Sequence, residues 1–341
     1  MILSWNALKE FVPDIYFDTT GHAFTFVVAR FLAGCHVAAY VHYPTISTDM
    51  LKLVWERRPT YNNNEAISGN PIKTFVKLCY YMAFSILYGM VGSISELTMV
   101  NSTWTFRHIC KLWKFSSKIT IVYPPCDTAA FESISLESKR ERIILSIGQF
   151  RPEKDHKLQL QSFAKFKQLV EVTQKVFDVR LVLLGGCRNN DDWQLVNNLK
   201  ELANELGLKD HVEFVINQPF EVLKHYLSIS SVGLHTMWNE HFGIGIVECM
   251  AAGCITVAHK SGGPLLDIVV PSQIHDSGNN CGYLAATAEE YSQVLYEIFN
   301  TLSPERVSAL RQRARVSSTR FSQQAFNESF KEAFCSSKLL N

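Results

Sequence analysis

The sequence predicts an α/β fold with two doubly wound, Rossmann-like domains, the N-terminal one incomplete. Short apolar runs alternate with longer amphipathic runs through most of the chain, a pattern typical of βαβ units with parallel sheets. The length of 341 residues suits two domains of roughly 100–200 residues each. Apolar residues make up 47% of the chain and charged residues 19%, which is ordinary for a protein that buries a sizeable core.

The first half is predicted to hold three or four strands, and two of them end at prolines, which forbid a regular continuation. A helix is predicted over 75–94, and Ser102 is expected to cap another that runs to about Leu112. Residues 1–35 lack the glycine-rich turn that normally opens a doubly wound sheet. We therefore expect N-terminal structure to be missing. The predicted strands lie at 14–18, 36–41, 97–100 and 119–123.

The second half restarts after a polar, irregular stretch and is predicted to be a complete doubly wound domain. We place an N-terminal domain at 1–126, a linker at 127–141, the second domain at 142–318, and a helix at 319–341 that packs back on the first domain. Two or three helices are expected after Thr287. The predicted strands of the second domain lie at 143–147, 180–184, 212–215, 232–235 and 254–258, and its helices at 156–170, 191–206, 219–230 and 242–252.

Composition excludes several function classes. The net charge is +1, so no electrostatic argument favours nucleic acid. Nine irregularly spaced cysteines without a C-x-x-C pair favour reduced, buried thiols over a zinc site. The apolar segment 75–94 has the length of a bilayer span and one charge, Lys77. Its serines, glycines and tyrosines favour a helix lying against the domain or in the membrane interface over a true span.

The stretch 238–253 carries the strongest chemical signal. Glu240 follows a predicted strand, and Glu248 lies in the next helix after seven intervening residues. The carboxyl edge of a parallel sheet is where such domains bind ligands, and a helix N-terminus there suits a phosphate. Gly243 lets a diphosphate approach the backbone closely. Carboxylates beside that phosphate site can accept hydrogen bonds from sugar hydroxyls.

This E-x7-E pattern, with its Phe242-Gly243 pair and Ala-Ala-Gly ending, resembles the family 4 retaining glycosyltransferases, which have the GT-B fold. The resemblance implies that Glu240 contacts the transferred sugar and that Glu248 binds the nucleotide ribose. The backbone around Phe242 and Gly243 then approaches the donor. Two solvated glutamates on an ordinary helix are the alternative, which the further matches below make weak.

A second match lies at 148–156, which is similar to the family's G-R-x-x-x-E-K turn. By resemblance, Lys154 binds the diphosphate of the donor beside Gly148, where a cation neutralises charge on the leaving group. Gln149 departs from the family's arginine, and Arg151 is a candidate to supply that charge; a surface arginine is the alternative. The turn Gly262-Gly263 also matches a family segment that approaches the donor.

In the first half, His42 ends a strand, where family members place a histidine near the donor sugar; a structural histidine is an equal alternative. No D-x-D motif occurs, which fits transferases that need no metal, so no metal and no cofactor beyond the donor substrate is expected. Asn101-Ser102-Thr103 reads as a glycosylation sequon, but a cytosolic location makes its modification unfavourable.

The stretches at 41–50, 101–104, 123–127 and 235–243 are similar to the dolichol-pathway α-1,2-mannosyltransferases. The resemblance implies GDP-mannose as donor, a dolichol-linked oligosaccharide as acceptor, retention of configuration, and work at the cytosolic face of the endoplasmic reticulum membrane. The membrane surface and other dolichol-pathway mannosyltransferases are the implied partners. A truncated, inactive donor-binding module and a family 4 transferase with another donor stay open as alternatives.

Overall fold

A computed structural model describes residues 2–57, 69–116, 118–174, 178–269, 280–337 and 339. The chain divides into two compact units. The first unit comprises Met1–Tyr123 with Phe326–Asn341, and the second unit is Pro124–Ala325. The division therefore falls just ahead of the stretch 127–141 that the sequence marks as a linker.

The first unit is built on a parallel sheet in the order β1-β2-β3-β4. All four strands are confirmed, although the last is shorter than expected. Their bounds are β1 Ile15–Asp18, β2 His36–Val41, β3 Leu97–Val100 and β4 Ile119–Ile121.

The described part of the chain ahead of β4 contains five helices, and the sequence predicted only the last two. The Asn70 side chain accepts hydrogen bonds from two backbone N–H groups of the first turn of α4, and a proline stands at the first helical position. Both features favour a helix start. Ser102 caps α5, as predicted. The bounds are α1 Ile2–Glu10, α2 Phe24–Val27 (continued by a π turn, Val28–Leu32), α3 Thr48–Trp55, α4 Pro71–Gly92 and α5 Thr103–Leu112.

Helix α4 has one face fixed to the core of the first unit. A Cβ atom at Gly89 would meet the backbone of Leu112, and one at Gly92 would meet the ring of Trp113. Tyr88 is fully buried on the same face. The opposite face exposes a stripe of apolar side chains at helical spacing, namely Ile72, Phe75, Val76, Tyr80, Met82, Ile86, Leu87 and Met90. Of the described helices, α4 is the one long and apolar enough to cross a membrane.

The second unit contains a six-stranded parallel sheet in the order β10-β9-β8-β5-β6-β7. Five of its strands are confirmed within two residues. The sequence did not reveal β10, whose four residues Gly-Tyr-Leu-Ala include no β-branched side chain. The bounds are β5 Glu141–Ile147, β6 Arg180–Gly185, β7 Val212–Ile216, β8 Ser230–Leu234, β9 Ile255–His259 and β10 Gly282–Ala285.

Helices on the second unit agree with the prediction within two residues at each bound. Helix α9 begins at Ile244 rather than at 242, because Gly243 takes a left-handed conformation (φ 118°) that ends the preceding loop. The bounds are α6 His156–Val172, α7 Asn190–Glu205, α8 Phe220–Ile229, α9 Ile244–Ala252, α10 Ala288–Asn300, α11 Pro304–Ser318 and α12 Gln323–Cys335. From Phe326 onward, α12 belongs to the first unit, where Phe330 lies 5.7 Å from Phe17, ring centre to ring centre.

The strand order places a topological switch point in the second unit. From β5 the chain proceeds to β6 and β7 on one side, and then crosses to β8, β9 and β10 on the other. Loops that leave the carboxyl ends of β5 and β8 therefore diverge from neighbouring strands. In open α/β sheets this crevice is the usual ligand site. These two loops carry Lys154 and Glu240.

Candidate active site

The loop after β5 is held by the loop after β8. The loop after β5 ends in a short 3-10 turn, Pro152–Lys154, followed by Asp155 in a left-handed conformation (φ 47°) at the start of α6. The Thr236 hydroxyl lies 2.9 Å from the Lys154 carbonyl oxygen and 3.0 Å from that of Asp155. The Gln159 amide donates to the same hydroxyl at 3.0 Å. The backbone that carries Lys154 is thus fixed from two sides.

Two side chains, those of Lys154 and His235, meet at one carboxylate oxygen of Glu240. Lys154 Nζ lies 2.5 Å from Glu240 Oε2, and His235 Nε2 lies 3.1 Å from the same atom. The other oxygen, Oε1, accepts from the His241 backbone N–H at 3.2 Å. Burial alone would raise the pKa of Glu240, but the hydrogen bond from His235 and the charge of Lys154 outweigh burial and hold that pKa well below its usual range. Glu240 is therefore an anion at neutral pH.

Glu248 lies in the opposite electrostatic environment. It is half-buried on the second turn of α9, and within the described parts of the chain it has no hydrogen-bond or ion-pair partner. Burial raises the pKa of Glu248 to about 7, and the nearby charge of Asp127 adds to the rise. A carboxyl group close to half-protonated at neutral pH can both donate and accept hydrogen bonds. That capacity suits a pair of neighbouring hydroxyl groups.

The glycine turn after β9 packs directly against the backbone of the Glu240 loop. A Cβ atom at Gly262 (φ 56°) would meet the Glu240 carbonyl oxygen, and one at Gly263 would lie 2.6 Å from the Phe242 carbonyl oxygen. The Gly263 N–H donates to the Glu240 carbonyl at 2.8 Å. Only glycine allows this approach of two backbones. The ring of Phe242 itself is buried and packs edge-on against Phe321 at 5.2 Å.

The remaining predicted residues of the second unit flank this cluster. Arg151 pairs with Glu153 at 3.4 Å. The Gly148 carbonyl packs so closely on Gly185 that a side chain at 185 would collide with it. Gly148 also faces the aliphatic stem of Lys154, its nearest neighbour. In the described segments, no group of three His, Cys, Asp or Glu side chains is arranged to hold a metal ion.

His42 lies in the first unit, directly after β2, with an exposed side chain and its ring 4.8 Å from that of Tyr40. The stretch that follows it folds onto α5. Tyr43 stacks on Trp104 with ring centres 6.1 Å apart, and the Thr48 hydroxyl lies 2.7 Å from His108 Nδ1. The sequon residue Asn101 is buried and bonded to the Thr105 hydroxyl, so a glycan would not fit the folded state.

Sequence reasoning missed three histidines around the cluster. His235 contacts Glu240 directly, His156 is buried against Phe150, and His259 lies 2.8 Å from the Ser261 hydroxyl. Burial lowers the pKa of His156 and that of His259 to about 4 each. Position was the available signal for two of them, because His235 follows the last residue of β8 and His259 is the last residue of β9.

Comparison with known proteins assigns the family. Residues 1–113 match the family model of the ALG11 mannosyltransferase N-terminus, and residues 127–310 match that of the glycosyl transferases group 1. A Xenopus laevis protein named GDP-Man:Man(3)GlcNAc(2)-PP-Dol alpha-1,2-mannosyltransferase is 50% identical over 97% of this chain and 67% of its own. The chain belongs to the ALG11 mannosyltransferase family.

Other members are also similar over nearly the whole chain. The Homo sapiens and Dictyostelium discoideum proteins of the same name are 49% and 44% identical, each over 97% of this chain and 66% and 65% of their own. The ALG11-family chain described here thus spans about two thirds of the length of these relatives. The expectation of a dolichol-pathway relationship, drawn from four short stretches, is confirmed at the level of the family.

Solved structures confirm the fold. Anabaena HepE superposes with a TM-score of 0.71 at 15% identity, over 98% of this chain and 82% of its own. The α,α-trehalose 6-phosphate synthase of Burkholderia multivorans gives 0.72 at 10% identity, over 98% of this chain and 75% of its own. At such identities the likeness concerns the fold alone. Both are glycosyltransferases of the GT-B class, and the predicted α/β, GT-B architecture of this ALG11-family chain is confirmed.

Proposed function

We propose that this chain transfers mannose from GDP-mannose to a dolichol-linked oligosaccharide, in α-1,2 linkage and with retention. The observation that carries the proposal is the cluster at the switch point of the second unit, where Lys154 and Glu240 pair at the carboxyl edge beside the N-terminus of α9. The shared name of the relatives supplies the donor, the acceptor and the linkage.

Each residue of the second unit receives a role from its surroundings. The N-terminus of α9, which Gly243 precedes, is proposed to bind the diphosphate through its backbone N–H groups and its dipole. Lys154 neutralises charge on the departing nucleotide. Glu240, an anion, accepts hydrogen bonds from the mannose hydroxyls. Glu248, with a pKa of about 7, pairs with the ribose hydroxyls.

No side chain is assigned as a nucleophile or general base in this proposal. Retention is proposed to follow a front-face path, in which the departing phosphate helps to deprotonate the acceptor hydroxyl. The role of the protein is then to place the donor and to stabilise the leaving group. His42 stays a candidate from the sequence resemblance, and Arg151 is proposed as an accessory cation for the diphosphate.

We further propose that the reaction needs no metal ion. The positive end of the α9 dipole and the Lys154 ammonium group are two sources of positive potential within one site. Together they neutralise the negative charge of a diphosphate, as a divalent ion does in metal-dependent transferases.

The acceptor substrate implies a membrane surface, and α4 is the proposed contact. Its buried face is locked to Leu112 and Trp113, which argues against a free span, while the apolar stripe defined above faces outward. Such a helix lies in the interface plane with its apolar side among the lipid acyl chains. We place the protein on the cytosolic face of the endoplasmic reticulum membrane.

The direct test is transfer by the full 341-residue chain in liposomes, with labelled GDP-mannose and a lipid-linked trimannosyl-chitobiose acceptor. The expected product gains mannose that an α-1,2-specific mannosidase removes. UDP-glucose serves as the control donor and should give no product. Absence of transfer by a folded, GDP-binding chain would contradict the proposed activity, and absence of GDP binding would also contradict the donor assignment.

A further inference from the structure

Glu240 is shared by two hydrogen-bonding partners, Lys154 and His235, that differ in mobility. His235 is fixed, because its backbone N–H donates to the Val257 carbonyl at 2.9 Å and its carbonyl accepts from the Tyr291 hydroxyl at 2.8 Å. Its side chain is 11% exposed. Lys154 instead reaches Glu240 through a long, flexible side chain that is 25% exposed. Lys154 can therefore leave Glu240 without any movement of its backbone, whereas the His235 ring stands on a backbone that is bonded on both sides.

The observed pairing conflicts with the role proposed for Lys154. An ammonium group held 2.5 Å from Glu240 Oε2 gives up or weakens that bond when it moves to coordinate a diphosphate. Removing one member of a buried ion pair leaves an uncompensated charge, which is strongly unfavourable. Donor binding therefore requires a second group that stabilises the carboxylate once Lys154 has left. His235 already contacts the same oxygen at 3.1 Å.

We propose that His235 is a positioning residue that retains Glu240 when Lys154 leaves it for the diphosphate of the donor. This inference rests on the proposed function. In the free protein Lys154 is paired with Glu240. His235 lowers the free energy needed to separate Lys154 from Glu240, because it remains bonded to the carboxylate. Once the donor is bound, the His235 Nε2–H bond keeps the Glu240 carboxylate aimed at the sugar.

The role of the histidine can be separated from a general structural role by GDP binding, since GDP carries the diphosphate but no sugar. In His235→Ala, Lys154 is the remaining side-chain partner of Glu240 and is harder to recruit. We expect GDP affinity to fall about tenfold, the usual effect of losing one charge-assisted hydrogen bond. His235→Gln, whose amide nitrogen can donate in place of Nε2, should restore most of that affinity.

The decisive variant is the double substitution His235→Ala with Glu240→Gln. Neutralising Glu240 frees Lys154, so GDP affinity should return to the wild-type value or exceed it. A merely structural histidine would give the opposite result, because a second substitution in the same cluster would add to the damage. His211→Ala is the matched control, since that ring also contacts charged side chains, Lys167 at 3.1 Å and Asp178 at 3.7 Å, and should leave GDP binding unchanged.

The measurement is calorimetric titration of GDP into the full chain, with thermal unfolding of each variant as the check on folding. Should His235→Ala not fold, His235→Phe takes its place, because that ring keeps the volume but has no donor, and the same tenfold loss of GDP affinity is expected. The proposal is overturned by wild-type affinity in His235→Ala, or by a double variant weaker than the single one. A wild-type chain that does not bind GDP would overturn the proposed function as well.

Discussion

Glu240 and Glu248 belong to one motif, and burial acts to raise the pKa of both, yet the side chains around them differ. Glu240 bonds to Lys154 and His235, and its pKa lies well below the usual range. Glu248 has no such partner in the described parts of the chain, and its pKa rises to about 7. Spacing in a sequence fixes where a carboxyl group lies, whereas the neighbours fix its charge.

The difference implies a division of labour. Glu240, a carboxylate whose partner Lys154 can move away, suits the sugar and diphosphate end of the donor, where charge changes during the reaction. A carboxyl group of near-neutral pKa suits hydroxyl groups that stay uncharged throughout. The substitutions of Glu240, Glu248 and Gly262 below each change the surroundings or the charge of one of the two glutamates and leave the other glutamate unchanged.

The largest expected effect is on turnover. Glu240→Ala should lower kcat on the order of 10²- to 10³-fold, because it removes the anion that orients the sugar and the resting partner of Lys154. Steady-state transfer assays measure it. Glu221→Ala, an acidic residue in the first turn of the neighbouring helix α8, is the control and should keep wild-type kcat. Unchanged turnover in Glu240→Ala would contradict the site assignment.

Gly262→Ala should disturb the Glu240 side alone. The new methyl group meets the Glu240 carbonyl oxygen, and the residue must keep a left-handed φ of 56°, so we expect a loss of about 2–4 kcal/mol of unfolding free energy. Gly207→Ala has a similar φ of 70° but nothing within 4 Å, and should lose only about 1 kcal/mol. Denaturant unfolding compares the two, and equal losses would refute the close packing.

The two glutamates should respond oppositely to neutralisation. The folded chain keeps a proton on Glu248 that the unfolded chain releases, so this site loses stability as pH rises from 4.5 towards 7. Glu248→Gln should therefore raise the unfolding free energy by about 1–3 kcal/mol near pH 8 and change nothing near pH 4.

Glu240→Gln should act in the reverse direction. A folded pKa below the ordinary value gives stability that is present above about pH 4.5 and is lost as pH falls through the folded pKa. The variant should lose about 1–3 kcal/mol near pH 8, with a smaller difference in acid. Thermal unfolding across pH gives both results. If the unfolding free energies of Glu248→Gln and Glu240→Gln near pH 8 changed in the same direction, the proposed contrast between the two glutamates would be wrong.

The smallest expected effect is that of chelation. Because Lys154 and the helix dipole are proposed to replace a divalent ion, excess EDTA should leave the transfer rate unchanged. A rate that falls with EDTA and returns with Mg²⁺ or Mn²⁺ would contradict this proposal.

His42, the candidate residue of the first unit, is tested in the same transfer assay. His42→Ala is expected to lower kcat.

Much of this fold could be predicted from the chain, because short apolar runs between longer amphipathic runs marked nine of the ten described strands. Local patterns also located Ser102 as a cap. Signals failed where the local sequence is ambiguous. Strand β10 lacks β-branched residues, and α1 combines a weak apolar pattern with no cap signal.

The motifs named some members of the candidate site but neither His235 nor the electrostatics of the cluster. The motif named Glu240, Glu248 and Lys154, yet nothing in their spacing shows that two of them pair and the third stands apart. That outcome depends on the strand order, which brings the loops after β5 and β8 together. The same long-range arrangement puts His235 on Glu240, so a lone histidine after a strand became interpretable only in three dimensions.

One pair of measurements tests the two roles most directly: calorimetric titration of GDP into wild type, Glu248→Ala and Glu240→Ala, and mannose transfer by the same three chains. We expect Glu248→Ala to lose measurable GDP binding, because the nucleotide loses its ribose contact, and Glu240→Ala to retain GDP affinity but lose turnover. Equal losses in both variants, or undiminished binding in Glu248→Ala, would contradict the assignment of two distinct roles to these two carboxyl groups.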